Sequence, residues 1–375
     1  MWTDRLLAHG PALTFDDVLL VPRRSDVLPA DCSTRTVLAA ELSLPIPILS
    51  AAMDTVTSVQ LAIALAQLGG LGVVHKNQPM AEQVKVIRRI KDTPVLSAQA
   101  AIDRNGELLA AAAVGTGPDG WARATQLVSS GVDLLVVDTA HGHSANVLKL
   151  VRQLRDKWPD LLVCAGNIAT PLAAIELAGA GAQIVKVGVG PGSICTTRIV
   201  AGVGMPQLTA ILECAEAAKS HGLSVIADGG MRYSGDIVKA LAAGADAVML
   251  GSLLAGTDEA PGNIIESGGQ RRKTYRGMGS LGAMQDGSKD RYGQAGIDNG
   301  KLVPEGVEGE VAATGSLEGV IHQLVGGIRA GMGYVGAPTL SGLRAAQFVQ
   351  ITTAGIRESH VHDLAGVKAS PNYRS

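Results

Sequence analysis

With 375 residues, 46% of them hydrophobic, the chain can bury a large core, either as one big α/β barrel or as two ordinary domains. Its 34 acidic and 32 basic side chains leave a formal net charge of −2, which removes any electrostatic case for nucleic acid or an anionic membrane as partner. Four cysteines without a CxxC pair exclude a disulfide framework and point to a reducing compartment. The expectation is a cytoplasmic enzyme acting on small molecules.

The chain begins with a mixed lead-in, residues 1 to 40. Met1 to Leu7 is followed by His9-Gly10-Pro11 before any long apolar run, so it fails as a signal peptide. No apolar run further on approaches the ~20 residues that span a bilayer. In Leu13 to Pro22 the proline ends any strand. Eight short apolar runs then follow: Ile46 to Ser50, Leu71 to Val74, Leu109 to Val114, Leu134 to Asp138, Leu161 to Ala165, Ile184 to Val187, Ser224 to Asp228 and Ala247 to Gly251. Helical patterns lie between them, at Ser58 to Leu68, Asn146 to Lys157, Thr170 to Ala178, Thr209 to Ser220 and Gly235 to Ala243. Continuous apolar strands alternating with helices imply a parallel sheet covered on both faces, and eight such units fit a closed (β/α)8 TIM barrel. An open doubly wound sheet is the alternative, but no GxGxxG follows the first strand.

In such a barrel the chemistry sits where the strands end. There the sequence reads Ala51-Ala52-Met53-Asp54, His75-Lys76-Asn77, Gly115, Asp138-Thr139-Ala140-His141, Gly166-Asn167, Asp228-Gly229-Gly230 and Gly251-Ser252. After the sixth strand comes the loop Gly188-Val189-Gly190-Pro191-Gly192-Ser193-Ile194-Cys195-Thr196-Thr197-Arg198. Its glycines allow a tight turn that exposes backbone groups to a ligand, and Arg198 stands close enough in sequence to favour the ionised thiol. The glycines after strands seven and eight suit a phosphate held by backbone N–H groups.

Beyond the eighth strand the chain is longer than a barrel needs. We expect one catalytic domain over residues 1–375, with a finger and flap inserted at 255–316. The basic run Arg271 to Arg276 has the composition of a solvated face, and 286 to 299 is polar and glycine-rich, as a lid would be. A helix, Leu317 to Arg329, resumes the regular pattern before a tail ending in Pro371 to Ser375. Two His-x-His pairs, His141/His143 and His360/His362, lack the spacing of a transition-metal site.

Taken in order, several motifs resemble those of the inosine-5′-monophosphate (IMP) dehydrogenase family over nearly the whole chain. They are Leu49 to Thr57, Val136 to His143, Gly188 to Arg198, Ala227 to Gly230, Tyr275 to Ser280, Asp290-Arg291-Tyr292, Lys301 to Gly306 and Ala354 to His360. The resemblance implies oxidation of IMP to XMP with NAD and water, through a covalent thioimidate on Cys195. It implies that Met53, Ser193, Asp228, Gly230, Gly251, Ser252, Tyr275, Gly277, Met278, Gly279 and Glu305 hold the substrate. Asp138, Asn167, Gly188 and Gly190 would serve NAD. Arg291 and Tyr292 of a mobile flap would activate water, with Thr197 and Glu305 as a second route. Guanidinium chemistry alone would not have chosen Arg291 as a base.

The resemblance further implies K+ on the carbonyls of Gly190, Gly192 and Cys195, completed by Glu358, Ser359 and His360 of a neighbouring subunit, and so a homotetramer. Family members usually carry a pair of CBS modules, which this sequence lacks near 92–106. Regulation by adenine or guanine nucleotides through such modules is therefore not expected. Two other activities compete: GMP reductase, which has no use for the flap pair, and a flavin-dependent barrel oxidoreductase, which would not require Cys195.

Overall fold

The computed structural model describes residues 10–364 except Pro118, together with residues 372–373. The leader reading at Met1 to Leu7 and the tail residues Pro371, Arg374 and Ser375 lie outside the described residues. Eight parallel strands close into a barrel: β1 (Ile48–Ser50), β2 (Leu71–Val74), β3 (Ala111–Val114), β4 (Leu134–Asp138), β5 (Leu162–Ile168), β6 (Ile184–Val187), β7 (Ser224–Asp228) and β8 (Ala247–Leu250). Closure is the pairing of β8 with β1, Val248 to Ile48 through Leu250 to Ser50. Each apolar run of the sequence has become one strand, and β5 runs on past the expected Ala165 to Ile168.

The helices of the ring are α1 (Val59–Gln67), α2 (Met80–Lys91), α3 (Gly120–Ser129), α4 (Ala145–Lys157), α5 (Pro171–Ala180), α6 (Gln207–Ser220), α7 (Ser234–Ala242) and α8 (Leu317–Tyr334). Local chemistry sets their ends. Ser58 caps α1 by accepting from Leu61 N, Thr170 caps α5 ahead of Pro171, and Gly181 closes α5 at φ +102°. The final helix packs against both α7 and α1, so it completes the ring, and the chain between β8 and α8 is an excursion from it. Within that excursion β9 (Ile265–Ser267), β10 (Gln270–Arg276) and β11 (Glu308–Ala312) form a small antiparallel sheet.

The basic run is therefore a strand, and it is not a solvated face throughout. Lys273 is buried with its ammonium on the carbonyls of Thr257 and Ala260, and Arg276 pairs with Asp54 and Asp286. Desolvated cations persist only where such acceptors replace water.

Side chains alternate along each strand between the barrel interior and the helices. Leu49, Leu71, Val73, Ala111, Ala113, Leu134, Val136, Cys164, Ile184, Ile226 and Met249 fill the interior. The lead-in adds a hairpin, Thr36–Ala39 with Leu42–Leu44, whose Leu38, Leu42 and Leu44 belong to this same interior cluster. A short strand, Val18–Leu20, pairs antiparallel with Phe348–Gln350 and ties lead-in to tail. Carried one step further, the two-residue period sets the uppermost interior positions: Asp138 follows Leu134 and Val136, Lys186 follows Ile184, and Asp228 follows Ile226. The inner barrel is thus apolar below and charged at the top.

Between α2 and β3 the chain is stapled locally. Lys91 reaches Asp103 at 2.9 Å and Asp133 at 2.6 Å, and Asp103 also accepts from the backbone of Asn105 and Glu107. Among the described residues no helix is long and apolar enough to cross a membrane.

Candidate active site

A single cavity at the C-terminal mouth of the barrel gathers most of the residues singled out from sequence. Met53, Asp138, Asn167, Gly188, Gly190, Gly192, Ser193, Cys195, Thr197, Asp228, Gly230, Gly251, Ser252, Tyr275, Met278, Arg291 and Tyr292 all line it. These residues come from six strand ends and from the excursion, which is the arrangement the fold uses for chemistry.

Cys195 lies on the loop after β6, only partly buried, with its Sγ 3.2 Å from the Thr197 hydroxyl. The loop is clasped from the other side by the segment around Glu305. Thr196 N donates to the Glu305 carbonyl, Val307 N to Ile194 O, and Cys195 bridges to Gly306. Glu305 N donates in turn to Gly279 O. Glu305 and Gly279 are therefore joined to the thiol loop through their main chains and do not line the cavity. Gly277, also outside the lining, backs the loop: a Cβ there would meet Ile194.

Arg198 interacts with the charge of Cys195, as expected, and has a second, structural task. Its guanidinium donates to the carbonyls of Val189 and Met205, and its stem fills the space a side chain at Gly190 or Gly204 would need. Arg198 thus acts also as a clamp on the loop. Gly190 itself sits at φ +83°, a conformation other residues adopt only with strain.

The other three cysteines are sealed in. Full burial pushes the Cys164 thiol up to about 12, and Cys214 in α6 is likewise pushed up to about 12. Burial also raises Cys32. Such thiols pack and do not react.

A polar hub fills the mouth of the barrel. Lys186, 1% exposed, places its ammonium 3.0 Å from Asp138 Oδ1 and 2.6 Å from Asp228 Oδ2, and also hydrogen-bonds to Asn167 Oδ1. Asn167 donates to Asp228 Oδ2 at 2.9 Å and to Gly188 O at 2.8 Å. One cation thereby orders two carboxylates and an amide. Sequence reasoning missed Lys186, although a lysine inside Ile-Val-Lys-Val was a visible signal: a charge in a strand buried on both faces needs partners at the barrel mouth.

Tyr275 is buried with its hydroxyl directed at the Met53 sulfur 4.0 Å away, and burial pushes its phenol up to about 12 against the lowering effect of Ser193. It is a donor at any ordinary pH.

The flap is folded onto this mouth. Arg291 forms an ion pair with Asp138 Oδ2, and its carbonyl accepts from Ala140 N at 3.0 Å. Tyr292 packs against Gly279, where a Cβ would approach its ring to 2.6 Å, and Ser288 donates to the Met278 carbonyl. Burial raises the Tyr292 phenol, against the lowering effect of Arg291, with the Cys195 and Glu305 charges raising it further. Phenol, guanidinium and thiol thus share one small volume.

Glu358, Ser359 and His360 are elsewhere. Glu358 and Ser359 end the helix Thr353–Ser359, which packs near Phe15–Asp17, and the His360 ring rests against Tyr233 and Tyr373. None of the three lines the cavity of its own chain. His143 pairs with Glu176, and among the described residues no cluster of three His, Cys, Asp or Glu side chains could hold a metal.

Residues 12–362 match the family described as IMP dehydrogenase / GMP reductase domain. The chain belongs to that family. Among curated members of the IMP dehydrogenase / GMP reductase family, the inosine-5′-monophosphate dehydrogenase of Halalkalibacterium halodurans is 44% identical, with all of both chains aligned. That of Staphylococcus haemolyticus is 41% identical, again over all of both chains. The Mycobacterium tuberculosis relative is 43% identical over 96% of this chain and 91% of its own. The first of these alignments runs over 487 positions against 375 residues here, so that family member has more than a hundred residues without counterpart in this chain.

Proposed function

We propose that this chain oxidises IMP to XMP with NAD+ and water, in guanine nucleotide formation. The observation that carries the reading is the convergence, at one barrel mouth, of an accessible thiol with the Arg291-Tyr292 flap pair folded over it. A thiolate is a suitable soft nucleophile for the electron-poor C2 of a purine, and Cys195 adds there. NAD+ supplies the hydride acceptor. The adduct left on Cys195 is a thioimidate, which water must cleave.

The residues fit both ligands. Asp228 accepts from the ribose hydroxyls of the nucleotide, while Ser193, Gly230, Gly251 and Ser252 present hydroxyl and backbone groups to its phosphate. Tyr275 donates from the wall, and Met53 and Met278 flank the base, with Gly277, Gly279 and Glu305 behind it. Asp138, fixed by Lys186, accepts from a ribose hydroxyl of NAD+, and Asn167 with Gly188 and Gly190 shapes the nicotinamide end. Because Arg291 pairs with that same Asp138, the flap and NAD+ take the site in turn, first for hydride transfer and then for hydrolysis. Arg291 and Tyr292 then orient and deprotonate water, and Thr197 beside the thiol, with Glu305, offers a second proton route.

The glycine-rich loop offers carbonyls at Gly190, Gly192 and Cys195 that fit a large monovalent cation, K+. A donor set of neutral carbonyls suits such an ion better than a transition metal. Glu358, Ser359 and His360 complete it from a neighbouring subunit, in a homotetramer. The missing stretch of the longer relatives corresponds to a CBS pair at 92–106, where Lys91 instead closes the connection. Four free cysteines accord with a reducing cytoplasm.

Incubation with IMP and NAD+ should release NADH and XMP. Turnover of GMP with NADPH, and none of IMP, would assign the chain to the reductase side of the family. A yellow protein would favour the flavin alternative.

A further inference from the structure

Next to Arg291, Asp290 points the other way. Its carboxylate forms an ion pair with the ammonium of Lys76, on the turn that follows β2. The pair is nearly dry, with 11% of the lysine side chain and 15% of the aspartate exposed. Neither residue lines the cavity that holds Cys195; both border a separate recess with Asp119, Arg123, Gly287 and Lys289.

The barrel half of this contact is rigid. Gln78 N donates to the Lys76 carbonyl and the Gln78 side chain to the His75 carbonyl, each at 2.8 Å. Arg123, held by Asp119 and Gln83, donates to Gln78 O. Space for Asp290 is made by an absent side chain: a Cβ on Gly115, at the end of β3, would meet Asp290 Oδ2 at 2.5 Å, and one on Gly117 would meet it at 3.1 Å. The two halves of the contact lie far apart in sequence and fit in charge and in shape.

We propose that Lys76, Asp290 and the gap at Gly115 form a latch that holds the flap shut and so sets how often hydrolysis, not NAD+ rebinding, follows hydride transfer. This rests on the dehydrogenase reading above. Asp290 and Arg291 are consecutive on the short turn Ser288–Tyr292, so seating the first on Lys76 seats the second on Asp138. Since Arg291 and NAD+ share Asp138, an unlatched flap yields the site to NAD+, and the adduct waits. Lys76 and Asp290 are positioning residues, outside reach of the reacting atoms.

Rapid-mixing and steady-state assays of Asp290→Asn, Lys76→Met, Lys76→Arg and Gly115→Ala, with IMP and NAD+, test this. The first two and Gly115→Ala should keep the wild-type NADH burst, while steady-state turnover falls about tenfold, the scale of a lost charge-assisted contact. Inhibition by excess NAD+ should set in at correspondingly lower concentration. Lys76→Arg should recover part of the turnover. Gly115→Ala removes no charge, so its agreement with Asp290→Asn would isolate the latch from local electrostatics. A retained burst with wild-type turnover and wild-type NAD+ inhibition would overturn the latch, as would equal loss of burst and turnover. NADH release by the wild-type protein without a burst would also overturn the latch, since hydrolysis would then not limit turnover, whereas no NADH from IMP and NAD+ at all would instead overturn the dehydrogenase reading itself.

Discussion

Lys186 carries more of the site than any other side chain that sequence reasoning left out. Its ammonium donates to Asn167 and Asp228 and forms an ion pair with Asp138, in a place water barely reaches. Replacing it by methionine keeps the volume but takes the shared cation from buried Asp138 and half-buried Asp228, leaving the first with Arg291 and the second with Asn167, a loss bounded by the about 3–5 kcal/mol that removing one partner of a buried pair costs. Lys186→Met is therefore expected to lower unfolding stability by that order in urea titrations, and to weaken IMP binding because Asp228 loses its orientation. A variant with unchanged stability and IMP affinity would show that the hub is not held by this cation. The same residue shows what was legible in the sequence. Asp138 and Asp228 were readable because they end strands; Lys186 lies one step inside its strand, where a periodicity reading treats every residue as core. Arg198 was read only in part: its charge does act on Cys195, as expected, but nothing in the sequence showed that its guanidinium also turns to carbonyls of its own loop.

At the scale of elements, all eight strands were readable because each is a short apolar run with a turn at its end, and the runs kept their order in the closed sheet. The excursion after β8 was readable as an insertion, but its strands were not. Its strands are polar on exposed faces, and the burial of Lys273 and Arg276 depends on partners distant in sequence, Thr257, Ala260 and Asp54. The flap turn Ser288–Tyr292 likewise owes its place to contacts with the barrel, not to any pattern of its own. Arg291→Ala removes the flap's tie to Asp138 and, on the proposed reading, the group that orients water. Hydride transfer should survive and hydrolysis should slow by roughly 10²–10⁴-fold, the usual worth of a general acid–base group. The NADH burst of that variant, followed by a near-flat steady state, is the expected trace; loss of the burst would count against this division of labour.

For the whole molecule, Glu358, Ser359 and His360 sit away from their own chain's Cys195 loop, so the proposed cation site would need a second subunit to complete it. A four-subunit assembly in solution, with turnover that requires K+, is the expected state in sedimentation and activity measurements. A fully active monomer would contradict the shared ion site. Lacking more than a hundred residues of its relative from Halalkalibacterium halodurans, the chain should also show no change of assembly or turnover with ATP. That expectation rests on the short connection after α2, which Lys91 ties to Asp103 and Asp133.

The central claim is that Cys195 carries the purine between two half-reactions. Quenching the wild-type protein with acid within its first turnover on IMP and NAD+, and weighing the peptide that contains Cys195, measures this directly. The account predicts an adduct on Cys195 in step with the NADH released, absent from Cys195→Ala, which should still bind IMP and form no NADH. Release of NADH by Cys195→Ala, or by wild-type protein with no adduct at any time within the turnover, would contradict it.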